Sequence, residues 1–118
     1  MKVYGIKNCD TCRKALKWLE QEGAEFQFHD FRKEELDEET VDAWLAAVGS
    51  STLINKRGTT YRQLDDQEKV ELDGNSPSAL LMASPTLIKR PVFEDKGRYV
   101  VGFKDAEKAA LKNILSAD

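Results

Sequence analysis

The sequence predicts an α/β fold: a small mixed four-stranded sheet with flanking helices and a helical insertion between strands 2 and 3. Three observations lead there. The apolar run Val3-Tyr4-Gly5-Ile6 is followed closely by Cys9-x-x-Cys12 and then by residues of helical period. The stretch from about 37 to 84 is cut into short helical segments by capping residues and glycines. The last part of the chain carries a pair of strand patterns around a Gly-containing turn, then an amphipathic helix. The order is β-α-β, helices, β-β-α, with no long linker and no repeat, so residues 1–118 are expected to form one domain.

At 118 residues, with 41% hydrophobic and 33% charged side chains, the chain can build a core without disulfide staples. A net charge of −3 gives no reason to expect nucleic acid as a partner. No apolar run reaches the length of a membrane span. The N-terminus opens on a strand pattern and not on a basic segment followed by an apolar one, which speaks against export. Cysteines so close in sequence do not make a secreted disulfide framework either. The expected location is the cytoplasm.

The strand–CxxC–helix order is the thioredoxin-like redox signal of intracellular α/β proteins. Unpaired amide N–H groups and the positive end of the helix dipole meet where Cys9 sits, and both favour a thiolate. Lys7 and Arg13 flank it and act in the same sense. One helical turn separates Cys9 from Cys12, which lets the second sulfur reach back to the first. Ala15, Leu16 and Leu19 form the apolar stripe of this helix and Cys12 falls on it, while Arg13, Lys14, Lys17 and Glu20 take the other face. Cys9 therefore reads as the exposed nucleophile, and Cys12 as either a resolving thiol or a small core residue. Zinc wants about four ligands, and the chain offers its cysteine pair and the distant His29, so no metal is expected.

Gly23 stops the first helix. Glu25 to Phe31 alternates as a half-buried strand with Phe26 and Phe28 inward and His29 near its end. His29, the single histidine, lies far in sequence from both cysteines and reads as structural. Asp37 is a plausible N-cap for a helix carrying Val41, Trp44, Leu45 and Val48 and ending at Gly49. Ser50 or Ser51 starts a short helix through Asn55, followed by the basic turn Lys56-Arg57-Gly58. Thr59 to Leu64 and Gln67 to Leu72 read as further short helices. Ser76-Pro77 is a cap followed by proline at the first helical position, with Leu80, Leu81 and Met82 as apolar residues. Pro85 to Ile88 closes the section. Lys89 to Phe93 and Tyr99 to Phe103 form a hairpin across Asp95-Lys96-Gly97. Asp105 caps a final helix presenting Ala106, Ala110, Leu111 and Ile114.

Three segments resemble the ArsC/Spx family. Tyr4 to Ala15, with its CxxC, is similar to the family's active-site segment, Leu53 to Tyr61 to its middle motif, and Ile88-Lys89-Arg90-Pro91 to its Arg-Pro motif before the hairpin. They fall in the family's order and span nearly the whole chain. The middle motif looks most like that of the YffB-like branch, small bacterial proteins suspected of being glutathione-dependent thiol reductases. The resemblance implies a thioredoxin-like fold with a helical insertion, the reactive cysteine at Cys9, an active-site arginine at Arg90 and a cis-proline at Pro91.

Where the family's arsenate reductases carry Gly-Thr-Ser after the reactive cysteine, this chain has Asp10-Thr11-Cys12. Their middle-motif arginine falls at Asn55, with Arg57 the available cation, and their third arginine falls near Gly102. An oxyanion needs several converging donors, so the resemblance points to thiol chemistry ahead of arsenate reduction. The expected activity is that of a glutathione-dependent thiol-disulfide reductase: Cys9 forms a mixed disulfide, and a second glutathione or Cys12 resolves it. Lys7, Arg13, Arg57, Arg90 and Pro91 are the expected substrate-binding residues. Glutathione is expected as a co-substrate and not as a bound cofactor, with glutaredoxin as a further candidate partner. The alternatives are arsenate reduction by the same nucleophile, and a Spx-like regulator that binds RNA polymerase and uses CxxC as a redox switch.

Overall fold

In the computed structural model, which describes residues 1–74 and 77–116, four short strands form one mixed sheet in the order β2-β1-β3-β4. β1 (Lys2–Gly5) is parallel to β2 (Gln27–Asp30) and antiparallel to β3 (Val92–Asp95), which pairs with β4 (Arg98–Val101). A parallel pair needs a crossover, and α1 (Asp10–Gln21) supplies it. The register sets Phe28, Val3, Phe93 and Val100 in a row across one face. There they meet Ala15 and Leu19 of α1 and Leu111 and Ile114 of the last helix, α7 (Asp105–Ser116). Side chains alternate along a strand, so the next row, His29, Tyr4, Val92 and Val101, lies on the other face. Tyr4 and His29, direct neighbours in that row, stack with ring centroids 5.0 Å apart.

The sheet, α1 and α7 belong to one compact unit, Met1–Glu34 with the chain from Arg90 on, and Glu35–Lys89 forms another. The second unit is helical: α2 (Glu38–Val48), α3 (Ser50–Leu53), α4 (Thr59–Arg62), α5 (Asp66–Asp73), α6 (Ser78–Ala83) and a 3-10 turn at Pro85–Leu87. Its interior is built on Trp44, Leu53, Leu72, Leu81 and Leu87, all fully buried. The helix expected to run through Asn55 ends at Leu53 instead. Ile54 bridges Ile88, and the N–H of Asn55 donates to the Leu87 carbonyl at 2.6 Å, so extended pairing takes the backbone groups that another helical turn would use.

Most helix ends follow from local chemistry. Gly23, at φ +72, closes α1, with the Gly23 N–H on the Glu20 carbonyl and the Ala24 N–H on that of Leu19. Asp37 caps α2 by accepting the Thr40 N–H at 2.8 Å. A reciprocal pair, Asp65 and Glu68, opens α5. At α7 the expected cap Asp105 is instead the first helical residue; Glu107 takes the Lys104 N–H at 3.0 Å, and Ala106 is exposed. The expected cap Ser76 lies outside the described residues, and Pro77 directly precedes α6. Lys96 and Gly97 join β3 to β4 with φ of 50° and 79°, the positive pair that a tight two-residue hairpin turn requires. β3 starts at Val92, later than the apolar pattern suggested, because Pro91 has no N–H to give a ladder.

Candidate functional site

The segment between β1 and α1 is tied down from both sides. The N–H of Lys7 donates to Asp30 Oδ2 at 3.2 Å, and the N–H of Arg32 to Asp30 Oδ1 at 2.9 Å. The N–H of Cys9 returns to the Ile6 carbonyl at 3.2 Å, and the Cys9 carbonyl accepts from the Arg13 N–H at 2.9 Å. Cys9 is thereby the N-cap of α1, with extended φ and ψ of −106° and 124°. Its sulfur makes no capping hydrogen bond of full geometry, yet the Cys12 N–H lies close enough to favour its charged form.

Both thiols are free, and their surroundings set them apart. Burial pushes the Cys9 thiol up, but the Cys12 N–H, the Cys12 thiol and the guanidinium of Arg90 together outweigh it and hold Cys9 below its ordinary value. Cys12 is 1% exposed, on the buried stripe of α1. Burial dominates there and, aided by the neighbouring Cys9, drives its thiol to about 12 despite the Ile6 N–H and the Arg90 charge. The arrangement favours the charged form at Cys9 and the protonated form at Cys12.

Of the expected site residues, Arg90 is the cation acting on both sulfurs. It is half-buried and precedes the buried Pro91 through a cis peptide bond. Lys7 and Arg13 are exposed; Arg13 makes an exposed ion pair with Asp10 at 3.5 Å. Arg57 belongs to the helical unit, where its N–H donates to Asn55 Oδ1 at 3.1 Å and its carbonyl accepts from Arg62 at 2.9 Å. His29 pairs through Nδ1 with Glu34 at 3.0 Å, which agrees with a structural reading, although its buried Nε2 has no hydrogen-bond partner. Among the described residues no three His, Cys, Asp or Glu side chains converge as metal ligands, and no helix is long and apolar enough to cross a membrane.

Sequence reasoning missed two contributors. Asp30 braces the cysteine loop, and nothing in a lone aspartate at a strand end announces that. Gly5 was legible. A glycine inside a strand marks a close approach, and a Cβ here would lie 2.6 Å from Cys12 Sγ. The sulfur of Cys12 occupies the space that the missing side chain leaves.

A thioredoxin-like fold in which a thiol held below its ordinary pKa, a buried thiol held above it and a guanidinium meet at the start of α1 defines a thiol-based redox protein. The chain belongs to the ArsC family, whose profile matches residues 4–111. It is 44% identical over 108 residues to an uncharacterised protein of Haemophilus influenzae, covering 92% of this chain and 95% of that one. Among solved structures it is similar to a YffB protein, with 45% identity, a TM-score of 0.85, and coverage of 93% of this chain and 97% of the other. It is also 29% identical over 114 residues to the global transcriptional regulator Spx of Streptococcus pyogenes, covering 94% and 81% respectively.

Proposed function

We propose that this chain is a cytoplasmic glutathione-dependent thiol-disulfide reductase with Cys9 as its thiolate nucleophile. The observation that carries the reading is the opposed shift of the paired thiols, Cys9 down beside Arg90 and Cys12 up to about 12. An attacking thiol works best with a pKa near ambient pH, and only Cys9 is moved in that direction.

The Cys9 thiolate attacks the glutathionyl sulfur of a mixed disulfide. The S–S bond breaks, the substrate sulfur leaves as a thiolate and takes a proton from water, and Cys9 carries glutathione. A second glutathione thiolate then attacks that glutathionyl sulfur, which releases glutathione disulfide and returns the Cys9 thiolate. The net reaction consumes one glutathione thiol, the incoming one, and the other glutathione arrives already oxidised in the mixed disulfide. Arg90 favours the charged form of Cys9, and Lys7, Arg13, Arg90 and Pro91 make up the substrate-binding set for glutathione. Cys12, protonated and buried, serves as a hydrogen-bond donor in this route. Its use as the resolving thiol, with an internal disulfide and release of glutathione, is the variant mechanism. A glutaredoxin is the other candidate electron donor.

The test is intact mass after treating the reduced protein and Cys12→Ser with oxidised glutathione, followed by reduced glutathione. An adduct on Cys9 in both proteins, removed by reduced glutathione, supports direct resolution. An internal disulfide in the parent alone assigns resolution to Cys12. No adduct, with Cys9 alkylating no faster than a free thiol, refutes the reductase reading. The similarity to Spx favours a second reading as a redox-switched regulator, for which RNA polymerase would be retained by the immobilised protein in one redox state and not the other.

A further inference from the structure

A groove of about 830 Å³ opens beside the cysteine loop. It begins at Lys7 and Asn8, the residues just before Cys9, and follows α1 through Arg13, Leu16 and Lys17 to Glu20. Phe28 and Asp30 of β2 and the following Lys33 and Glu34 form its other wall. From Cys9 to Glu20 the helix rises by about 16 Å, room for roughly five residues of extended chain.

The floor is apolar, with Leu16 and Phe28 both half-buried. The charges on its walls are not equally available. Asp30 is held by the N–H groups of Lys7 and Arg32, and Glu34 by His29. The ammonium groups of Lys7, Lys17 and Lys33, all exposed, have no hydrogen bond or ion pair among the described residues. Arg13 has only its exposed pair with Asp10. Of the acids, only Glu20, at the far end, is similarly uncommitted. The groove thus presents an apolar strip on which the cations Lys7, Arg13, Lys17 and Lys33 outnumber the carboxylates Glu20, Asp30 and Glu34, the last two already hydrogen-bonded, so that a small excess of positive charge leads up to the nucleophile.

We propose that this groove receives an acidic segment of a protein substrate, the residues flanking the cysteine whose mixed disulfide Cys9 attacks. The proposal rests on the reductase reading and names the class of its substrate. Glutathione, a tripeptide, is too short to span the groove; an extended acidic segment fills it, with its apolar side chains on Leu16 and Phe28 and its carboxylates at Lys7, Arg13, Lys17 and Lys33.

The test compares three glutathione mixed disulfides: a short peptide with glutamates around a central cysteine, the same peptide with lysines, and free cysteine as a substrate without flanks. At low ionic strength the acidic peptide is expected to have a kcat/KM about tenfold above the basic one, a gap that closes as salt screens it. The Lys17→Glu/Lys33→Glu variant is expected to abolish the preference and keep the parent rate on the cysteine disulfide. Equal rates on the peptides, or a variant that loses rate equally on all three substrates, overturns the proposal. Anisotropy of labelled peptides with serine in place of the cysteine reads docking without redox chemistry. If no substrate turns over while the acidic serine peptide still binds the parent more tightly than the variant, the reductase reading falls and the groove stands. Equal binding of acidic and basic serine peptides sinks the groove alone.

Discussion

Gly5→Ala tests the placement of Cys12, on which the asymmetry of the paired thiols depends. The added methyl would lie 2.6 Å from Cys12 Sγ and 3.4 Å from Phe28 Cε1, against ~3.5–4.0 Å for an ordinary contact. The shortfall at the sulfur is thus about an ångström. Cys12 has nowhere to retreat: it is 1% exposed on the stripe it shares with Ala15 and Leu19, both fully buried. The backbones of β1 and α1 must therefore separate, and overpacking of this kind costs about 1–3 kcal/mol. With Cys12→Ala the sulfur is gone and the nearest remaining contacts, Phe28 at 3.4 Å and the Cβ of residue 12 at 3.6 Å, are close to ordinary. There Gly5→Ala should cost less than about 1 kcal/mol. Urea unfolding of the four proteins under reducing conditions closes a double-mutant cycle, with an expected coupling of about 1–2 kcal/mol. If Gly5→Ala costs the same in both backgrounds, Cys12 does not lie over Gly5 and the reasoning fails.

Arg90→Gln should raise the pH midpoint of Cys9 alkylation by iodoacetamide and slow the reaction at neutral pH, since it removes the guanidinium charge; an unchanged midpoint would rule that cause out. The stability of the reduced protein should have a maximum in pH. Cys9, depressed in the fold, makes stability rise with pH between its folded value and about 8.5, where an unfolded thiol ionises. Cys12, raised to about 12, keeps its proton in the fold after the unfolded chain has lost it, so stability falls with pH from that unfolded value upward. Cys9→Ser should flatten the rise and Cys12→Ala the fall, as read from urea midpoints across pH; a fall that survives Cys12→Ala would refute the assignment. In the helical unit, Trp44→Ala should cost about 3–5 kcal/mol by thermal or urea unfolding, because Trp44 is fully buried.

The parts of this molecule that one period decides were legible in the sequence. Ala15, Leu19 and Cys12 repeat on one face of α1, and the alternation before and after Gly97 gives a hairpin whose turn residues need positive φ. The inward Cys12 and the position of Cys9 before the helix follow from the same spacing. Departures arise where a distant partner wins over local propensity. The segment after Leu53 is helical by pattern but extended in the fold because Ile88 pairs with it. Asp105 has the chemistry of a cap, yet the helix starts one residue earlier, with the Lys104 carbonyl taking the Lys108 N–H and Glu107 closing back on the Lys104 N–H. Lys7 and Arg13 were expected to act on Cys9 because they adjoin it in sequence, and Arg90 because of the family resemblance; in the fold it is Arg90 that acts on the sulfur. Proximity along the chain does not measure proximity to a sulfur.

That displacement changes what the cysteine pair can do. A Cys12 that ionises only near pH 12 is a slow attacking group, and the forces on Cys9 stabilise the reduced, ionised form. Stabilising a reduced pair makes its disulfide more oxidising, hence more readily reduced. An internal Cys9–Cys12 disulfide would then be formed reluctantly and surrendered easily to glutathione. A lasting redox switch needs the opposite balance, a disulfide stable enough to persist while a partner is engaged. The groove adds an asymmetry in the same direction, since its uncommitted lysines lead to Cys9 and offer a path for a substrate's flank. The buried second thiol thus favours the charged form of the half-buried first one, and in the proposed reductase direct resolution by glutathione would leave Cys12 in that role at every turnover.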